Sequence, residues 1–260
     1  MTMKIENYSG TASTFTWPNN PQSFDDEINS NHTITNIPYQ RYHVFVSGGG
    51  ISPKNIILTG SFFGTSKNTN YTTLSGHFIE TIKLKKLYFD SDKFYLGIGK
   101  NIKKTHASGR TNFLDYVASF ETIVGVLFSD TLQTHTDGGA EVTNGGNVNT
   151  FVEQISGDVT DGSADVTISD SLGNQVVIPA ASLTTGQAVV LNFVEMVNSG
   201  DGVYVTEYNY TTVAGTQIKT TQTGTGLGIL QIAPSATTSG ITVTNLDAGY
   251  TIKIRSAYSS

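Results

Sequence analysis

The chain has 260 residues, a formal net charge of −6, 37% apolar and 14% charged residues, and no cysteine. That length accommodates one large β domain or two ordinary ones with a real core, so disorder is not expected. Disulfides, thiolate catalysis and Cys-based zinc sites are excluded outright. Charge is uneven: residues 1–130 carry 12 Lys+Arg against 10 Asp+Glu, and residues 131–260 carry 3 against 11. The split predicts two domains in different surroundings, and neither half has the basic footprint that nucleic-acid binding requires. Abundant Thr, Ser, Asn and Gly favour strands and turns over a helical enzyme. No run is apolar and long enough for a signal peptide or a membrane span, so the expectation is a soluble protein made in the cytoplasm.

The opening forty residues read as irregular. Trp17-Pro18-Asn19-Asn20-Pro21 punctuates the backbone twice, because each proline fixes φ and lacks an N–H. Trp17, beside Phe15, is expected to anchor this arm in the core, with an interface role as the alternative. Asp25-Asp26-Glu27 reads as a solvated loop. Tyr42–Val46 reads as a strand closed by Gly48-Gly49-Gly50. That triple glycine lacks the Lys-Ser/Thr pair of a phosphate loop, and Gly224–Gly228 lacks dinucleotide spacing.

Ile56–Gly64 predicts a strand and Tyr71–Lys85 the one substantial helix. Leu74, Phe78 and Ile82 recur at four-residue spacing with Ile79 alongside, giving one apolar stripe. Asn68 or Asn70 would cap the start, and Lys83, Lys85 and Lys86 would complement the dipole at the end. Gly76 weakens such a helix by about 1 kcal/mol relative to Ala. Leu87-Tyr88-Phe89 and Phe94-Tyr95-Leu96 flank a polar turn, which predicts a hairpin. Along Phe113–Glu121 one face is wholly apolar (Leu114, Tyr116, Ala118, Phe120). The other is mixed and turned to solvent or a neighbouring subunit (Phe113, Asp115, Val117, Ser119, Glu121).

Thr136-Asp137-Gly138-Gly139 and Asn144-Gly145-Gly146-Asn147 mark residues 131–149 as a linker unable to build a core. Beyond it, apolar runs at short intervals predict strands at Phe151–Ile155, Ala164–Ile168, Val176–Ile178, Ala188–Val197, Val203–Tyr210, Ile218–Thr221, Ile229–Ile232, Ile241–Leu246 and Tyr250–Tyr258. Such spacing fits a β-sandwich or jelly roll.

No catalytic motif emerges. His32, His43, His77, His106 and His135 lack ligand spacing. Asp158, Asp161, Asp165, Asp170 and Asn174 form a looser pattern than a calcium loop and read as turns, with a weak calcium site as the alternative. No nucleophile elbow is present. Tyr204, Tyr208 and Tyr210 would share a strand face, either filling a core or subunit contact or stacking on sugar rings.

Ile56–Gly64, Leu74–Leu87 and Phe94–Gly97 give the order of a glycine-ended strand, an amphipathic helix and an aromatic hairpin, followed by the alternating strand at Phe113. This pattern resembles the ring-forming N-terminal domain of phage distal tail proteins, which is related to tail-tube domains. The second half resembles the galectin-like sandwich appended to such proteins. The resemblance implies a mainly β fold. Residues 1–130 would form a tail-tube-like sandwich or barrel with one packed helix, and 150–260 a second, jelly-roll or galectin-like β-sandwich.

It further implies a non-enzymatic virion protein without cofactor or metal, made in the host cytoplasm and residing at the tail tip. Its copies would close a hexameric ring joining the tail tube to the host-adsorption apparatus. Its partners would be the tail-tube protein and the tail-tip hub and receptor-binding proteins. DNA would pass through the bore without specific binding, and nothing would insert in a membrane. Two other readings stand: a major tail-tube protein with a decorating C-terminal domain, and a carbohydrate-binding adhesin acting through Tyr204, Tyr208 and Tyr210.

Overall fold

A computed structural model describes residues 2–8, 13–26, 53–79, 84–89, 92–105, 112–192, 195–196, 204–205, 209–212, 217–219, 221–223 and 230–259. The first half contributes β1 (Lys4–Asn7), β2 (Thr14–Thr16), β3 (Ser23–Asp26), β4 (Asn55–Phe63), α1 (Lys67–Ile79), β5 (Lys85–Tyr88), β6 (Lys93–Thr105) and β7 (Phe113–Ser129). The strands pair antiparallel in the order β2-β1-β5-β6-β7-β4-β3. β5 and β6 form the expected aromatic hairpin, with Leu87 opposite Tyr95 and Tyr88 opposite Phe94. The full length of β4 lies along β7, from Asn55 opposite Glu121 to Phe63 opposite Phe113.

The N-terminal arm is more regular than its sequence suggests. β1, β2 and β3 span three or four residues each, too short for alternation to register as a pattern. Asp25 and Asp26, expected in a loop, lie in β3 opposite Ile57 and Ile56. Charge on an edge strand discourages pairing with stray chains. Trp17 is buried as expected: its indole N–H donates to Tyr116 Oη at 2.8 Å and its ring meets Phe15 edge-on. Burial pushes the Tyr116 hydroxyl up to about 12, against the opposing pull of the Trp17 bond.

Helix α1 starts four residues earlier than expected and ends at Ile79. The turn after Gly64 leads directly into it, with Lys67 N–H on Gly64 O, so Asn68 and Asn70 are helical residues rather than caps. Lys85 and Lys86 belong to β5. Leu74 and Phe78 are buried, but Ile79 is 70% exposed and leaves the stripe; Ile82 lies outside the described residues, as do Tyr42–Val46, Gly48–Gly50 and Gly224–Gly228. Gly99 lets the helix come down onto β6, since a Cβ there would stand 2.6 Å from Phe78 Cα. One core forms beneath the helix, with Ile56, Leu58, Phe62, Leu74, Phe78, Leu87, Tyr95 and the apolar face of β7.

The second half contributes β8 (Gln133–Thr136), β9 (Thr150–Asp158), β10 (Val166–Asp170), β11 (Gln175–Ile178), β12 (Ala188–Asn192), β13 (Glu195–Met196) and β14 (Tyr204–Val205). β15 (Asn209–Thr212), β16 (Gln217–Lys219), β17 (Thr221–Thr223), β18 (Gln231–Ile232), β19 (Ile241–Thr244), β20 (Thr251–Ile254) and β21 (Ala257–Ser259) complete it. One sheet runs β16-β15-β12-β9-β20-β8 with β18 also on β9, the other β17-β11-β10-β19, and β13 pairs with β14. Val152 and Ile155, Val189 and Leu191, Ile252 and Ile254 on the first sheet share a core with Val166, Ile168, Val176, Ile178 and Ile241 on the second. Among the described residues the architecture is mainly β with one α-helix, as the sequence predicts.

Two features depart from the expectation of beads joined by a linker. Within residues 131–149, β8 pairs with β20, and Asn144 is fully buried. The last expected strand breaks at Arg255–Ser256, and β21 crosses to the first sheet, placing Ala257 opposite Phe128 and Ser259 opposite Val126. The sandwich core continues into Tyr88, Phe94, Leu96, Val126 and Phe128 of that sheet, where Phe128 meets Phe151 at 5.0 Å between ring centres. No described helix is long and apolar enough to cross a membrane.

Candidate assembly surfaces

The first sheet uses its two faces differently, and the pleat dictates how. Alternate residues of β4 and β7 enter the core under α1; their neighbours point the other way. On that outer face Phe63 and Phe113 sit opposite each other, 53% and 43% exposed, with ring centres 6.2 Å apart. Below them Ser61 Oγ donates to the Asp115 carboxylate, and Ser119 Oγ to Asn55 Oδ1 at 2.5 Å. Thr59 faces Val117, Asn101 and Lys103 extend the face on β6, and Lys100 pairs with Glu121 at 3.0 Å. This mixed face, legible in the sequence from Phe113 to Glu121, is a polar surface ending in an aromatic step. Its exposed ion pair, Lys100–Glu121, is screened by water, and Ile57, 39% exposed between Asn55 and Thr59, interrupts the polar run.

Beside the helix a cleft of about 410 Å³ is lined by Ser13, Thr72, Thr73, Ser75, Gly76, His77 and Ile79. Its lining is hydroxyl-bearing, and His77, buried at its base, has Nε2 3.5 Å from Ser13 Oγ. His135 is buried with Nδ1 3.1 Å from Ala140 O. His32, His43 and His106 lie outside the described residues. Among the described residues no three His or carboxylate side chains converge to hold a metal.

Of the carboxylates singled out in the sequence, Asp161 and Asp170 cap turns. Asp170 accepts from Leu172 N, Asn174 N, Asn174 Nδ2 and Gln231 N at 2.7–2.9 Å. Asp165 accepts from Ala180 N, and Asp158 N donates to Asp247. Ser163 donates twice to Asp161, holding that carboxyl below the usual range. Tyr204 lies on β14 and Tyr210 on β15, in separate sheets; Tyr208 lies outside the described residues.

A polar cluster without a signature in the sequence closes the seam between the halves. Glu153 on β9 accepts from Tyr8 Oη at 3.0 Å and stands 2.9 Å from Arg255 Nε. The latter contact lies off the N–H direction, so it is an ion pair more than a hydrogen bond. Arg255 Nη1 donates to the carbonyls of Ser129 and Asp130, where the first half ends. Tyr88 Oη sits between Glu6 Oε1 at 2.8 Å and Asp130 Oδ1 at 2.6 Å, with Lys86 Nζ 3.7 and 3.4 Å from the same two oxygens. Burial raises Glu153 above the ordinary carboxylate range despite Arg255 and Tyr8. Burial also opposes ionisation of Asp130, but Tyr88 and Lys86 outweigh it and hold the group low. These residues are scattered along the chain, so no spacing could announce them.

The class defined here is a β architecture of one helix-backed sheet and a sandwich sharing a seam. Solved structures of that class come from phage tails. Over 99% of both chains the protein superposes on phage SPP1 Dit, the distal tail protein described as a paradigm of the hub adsorption apparatus in phages infecting Gram-positive bacteria. The TM-score is 0.50 at 11% identity. A chain of the phage P2 baseplate in its calcium-activated conformation matches with TM-score 0.51 and 12% identity, over 98% of this chain and 97% of that one. At such identities the likeness establishes the fold. No family model and no curated protein sequence matches the chain.

Proposed function

We propose that the protein is a distal tail protein, a structural virion component of a phage tail tip. Its copies close into a hexameric ring between the tail tube and the host-adsorption apparatus. The observation that carries this reading is the superposition on SPP1 Dit across both halves. A tube subunit would need only the first of them. Fold alone does not fix function, and the surfaces add independent support. The outer face of β4, β6 and β7 is mixed, with Asp115 and Glu121 offset by Lys100 and Lys103 and with Ile57 and Val117 among the polar groups, and it has no excess of positive charge that would hold DNA. The exposed Phe63–Phe113 step supplies apolar contact area at the end of that face.

In this reading residues 1–130 build the ring and the acidic second half projects outward, toward hub or receptor-binding proteins. Tyr204, Tyr208 and Tyr210 remain the proposed contacts for a partner or glycan there. The deciding experiment is electron microscopy of the purified protein and of intact tails with the protein labelled. One six-membered ring per tail, at the tip, is the expected result. Label along the whole tube would identify a tube subunit, and a monomer that never joins particles would refute both.

A further inference from the structure

Asn144–Gly145 is the chain's single Asn-Gly pair, and it sits where three segments of the sandwich meet the returning C-terminal strand. In a flexible chain this dipeptide is the one most prone to deamidate, because glycine has no Cβ to hinder the approach. The Gly145 nitrogen, having given its proton to solvent base, bonds to the Asn144 Cγ. The Cγ–Nδ2 bond breaks, and ammonia departs with a proton from water, leaving a succinimide. Water then adds its hydroxyl to one ring carbonyl carbon and returns its proton to the ring nitrogen, giving aspartate or isoaspartate.

The fold obstructs each requirement of this reaction. Gly145 N–H is engaged, donating to Ser256 Oγ at 3.0 Å. The Asn144 carboxamide is held at both ends. Its two amide hydrogens are shared among the carbonyls of Val148, Ile232 and Ala233 at 2.9, 3.1 and 3.3 Å. Its oxygen accepts from Gly146 N at 3.1 Å and Ala257 N at 3.3 Å. The residue is inaccessible to water. The backbone that follows is fixed as well: Gly146 is pressed so closely on the Ala257 backbone that even a Cβ would overlap it.

The product cannot occupy the same place. A carboxylate would turn oxygen toward three carbonyl oxygens, leaving a buried charge and three acceptors unmatched. Isoaspartate would also lengthen the main chain beside the Gly146–Ala257 contact. We propose that Asn144–Gly145 is a latent deamidation site kept unreactive by the fold, so that prolonged opening of residues 140–148 becomes irreversible loss of the native state. Stability at this site is then a rate, set by how often the segment opens, because the open form is drained chemically.

The test compares the full chain held native and held in guanidinium at the same mildly alkaline pH, followed by peptide mass spectrometry and by refolding yield over time. The expected result is conversion at Asn144 in the denatured sample only, at least tenfold faster than in the native one, with refolding yield falling in step. Gly145→Ala supplies the control. Its methyl would meet only Ser256 Oγ at 3.5 Å, an ordinary contact, while hindering ring closure, so this variant should fold and keep its refolding yield. Equal deamidation rates in the native and denatured samples would overturn the proposal. So would deamidated chains that refold as well as intact ones.

Discussion

The two halves solve the same problem, burying strands that are polar on one side, by opposite means. The first half uses long strands: β6 and β7 span 13 and 17 residues, and aromatic side chains do most of the packing. The second uses strands of two to nine residues, aliphatic packing and side-chain caps at nearly every turn, as at Asp170, Asn245 and Asn144. Long ladders hold register through many backbone bonds; short ones need each turn pinned. The comparison teaches where each half is vulnerable. The first should fail by losing bulk, the second by losing single polar groups, and the seam by either.

The largest effect is expected at the seam. Phe128 is buried between Phe94 and Phe151, and Phe128→Ala should cost about 3–5 kcal/mol. Chemical denaturation should still show one transition, because both halves share that cluster; two separated transitions would restore the picture of independent domains. Phe78→Ala, under the helix, should cost a similar 3–5 kcal/mol. A loss below about 1 kcal/mol would show that the helix is peripheral to the first core.

Next comes the buried pair. Arg255→Met leaves Glu153 without its cation and should cost about 3–5 kcal/mol, whereas Arg255→Met with Glu153→Leu should recover much of it. The pH dependence has a definite sign. Glu153 is raised above its ordinary value of 4.5, so its ionised form burdens the folded state at neutral pH. That burden lifts as pH falls toward the ordinary value. Asp130 is lowered from 3.8, so its contribution is present above that value and is lost as pH falls through its folded pKa. Denaturation midpoints of Glu153→Gln should lack the rise on acidification that the unaltered chain shows between neutrality and 4.5. Identical profiles would remove Glu153 from the account.

The smallest effect on stability is expected at the aromatic step. Phe113→Asp and Phe63→Asp should change monomer stability by only about 0.5 kcal/mol, as exposed substitutions usually do, while abolishing ring formation in electron micrographs. Intact rings from the double variant would move the subunit contact elsewhere.

Periodicity made the long elements legible. The β5–β6 hairpin, the two faces of β7 and the positions of sandwich strands such as β9, β10 and β11 follow from apolar runs or alternation over enough residues to be seen. It set the helix start four residues late, at Tyr71 rather than Lys67, and counted Ile79 into the buried stripe although that side chain is exposed. It missed β1, β2 and β3, which are too short for alternation to show, and of which β1 and β3 also take partners, β5 and β4, from well along the chain. Residues 131–149 look like a linker because Gly and Asn are frequent, but β8 pairs with β20 and the buried Asn144 satisfies backbone groups of the sandwich. Of the candidate surface, the mixed face of β7 was readable; its aromatic step needed Phe63 and Phe113 brought together, and the seam cluster was not readable at all.

The return of β21 to the first sheet bears on how the protein is made. β4 lies along β7 only from Phe113 to Glu121, and β21 takes up the ladder at Val126–Phe128. A ribosome therefore finishes β7 long before the strand that completes it emerges. While the entire sandwich is being translated, this stretch of the nascent chain has neither β21 nor the sandwich core against it. Unpaired edges of this kind attract other chains. The growing polypeptide is thus most in need of chaperones between the completion of β7 and the emergence of β21.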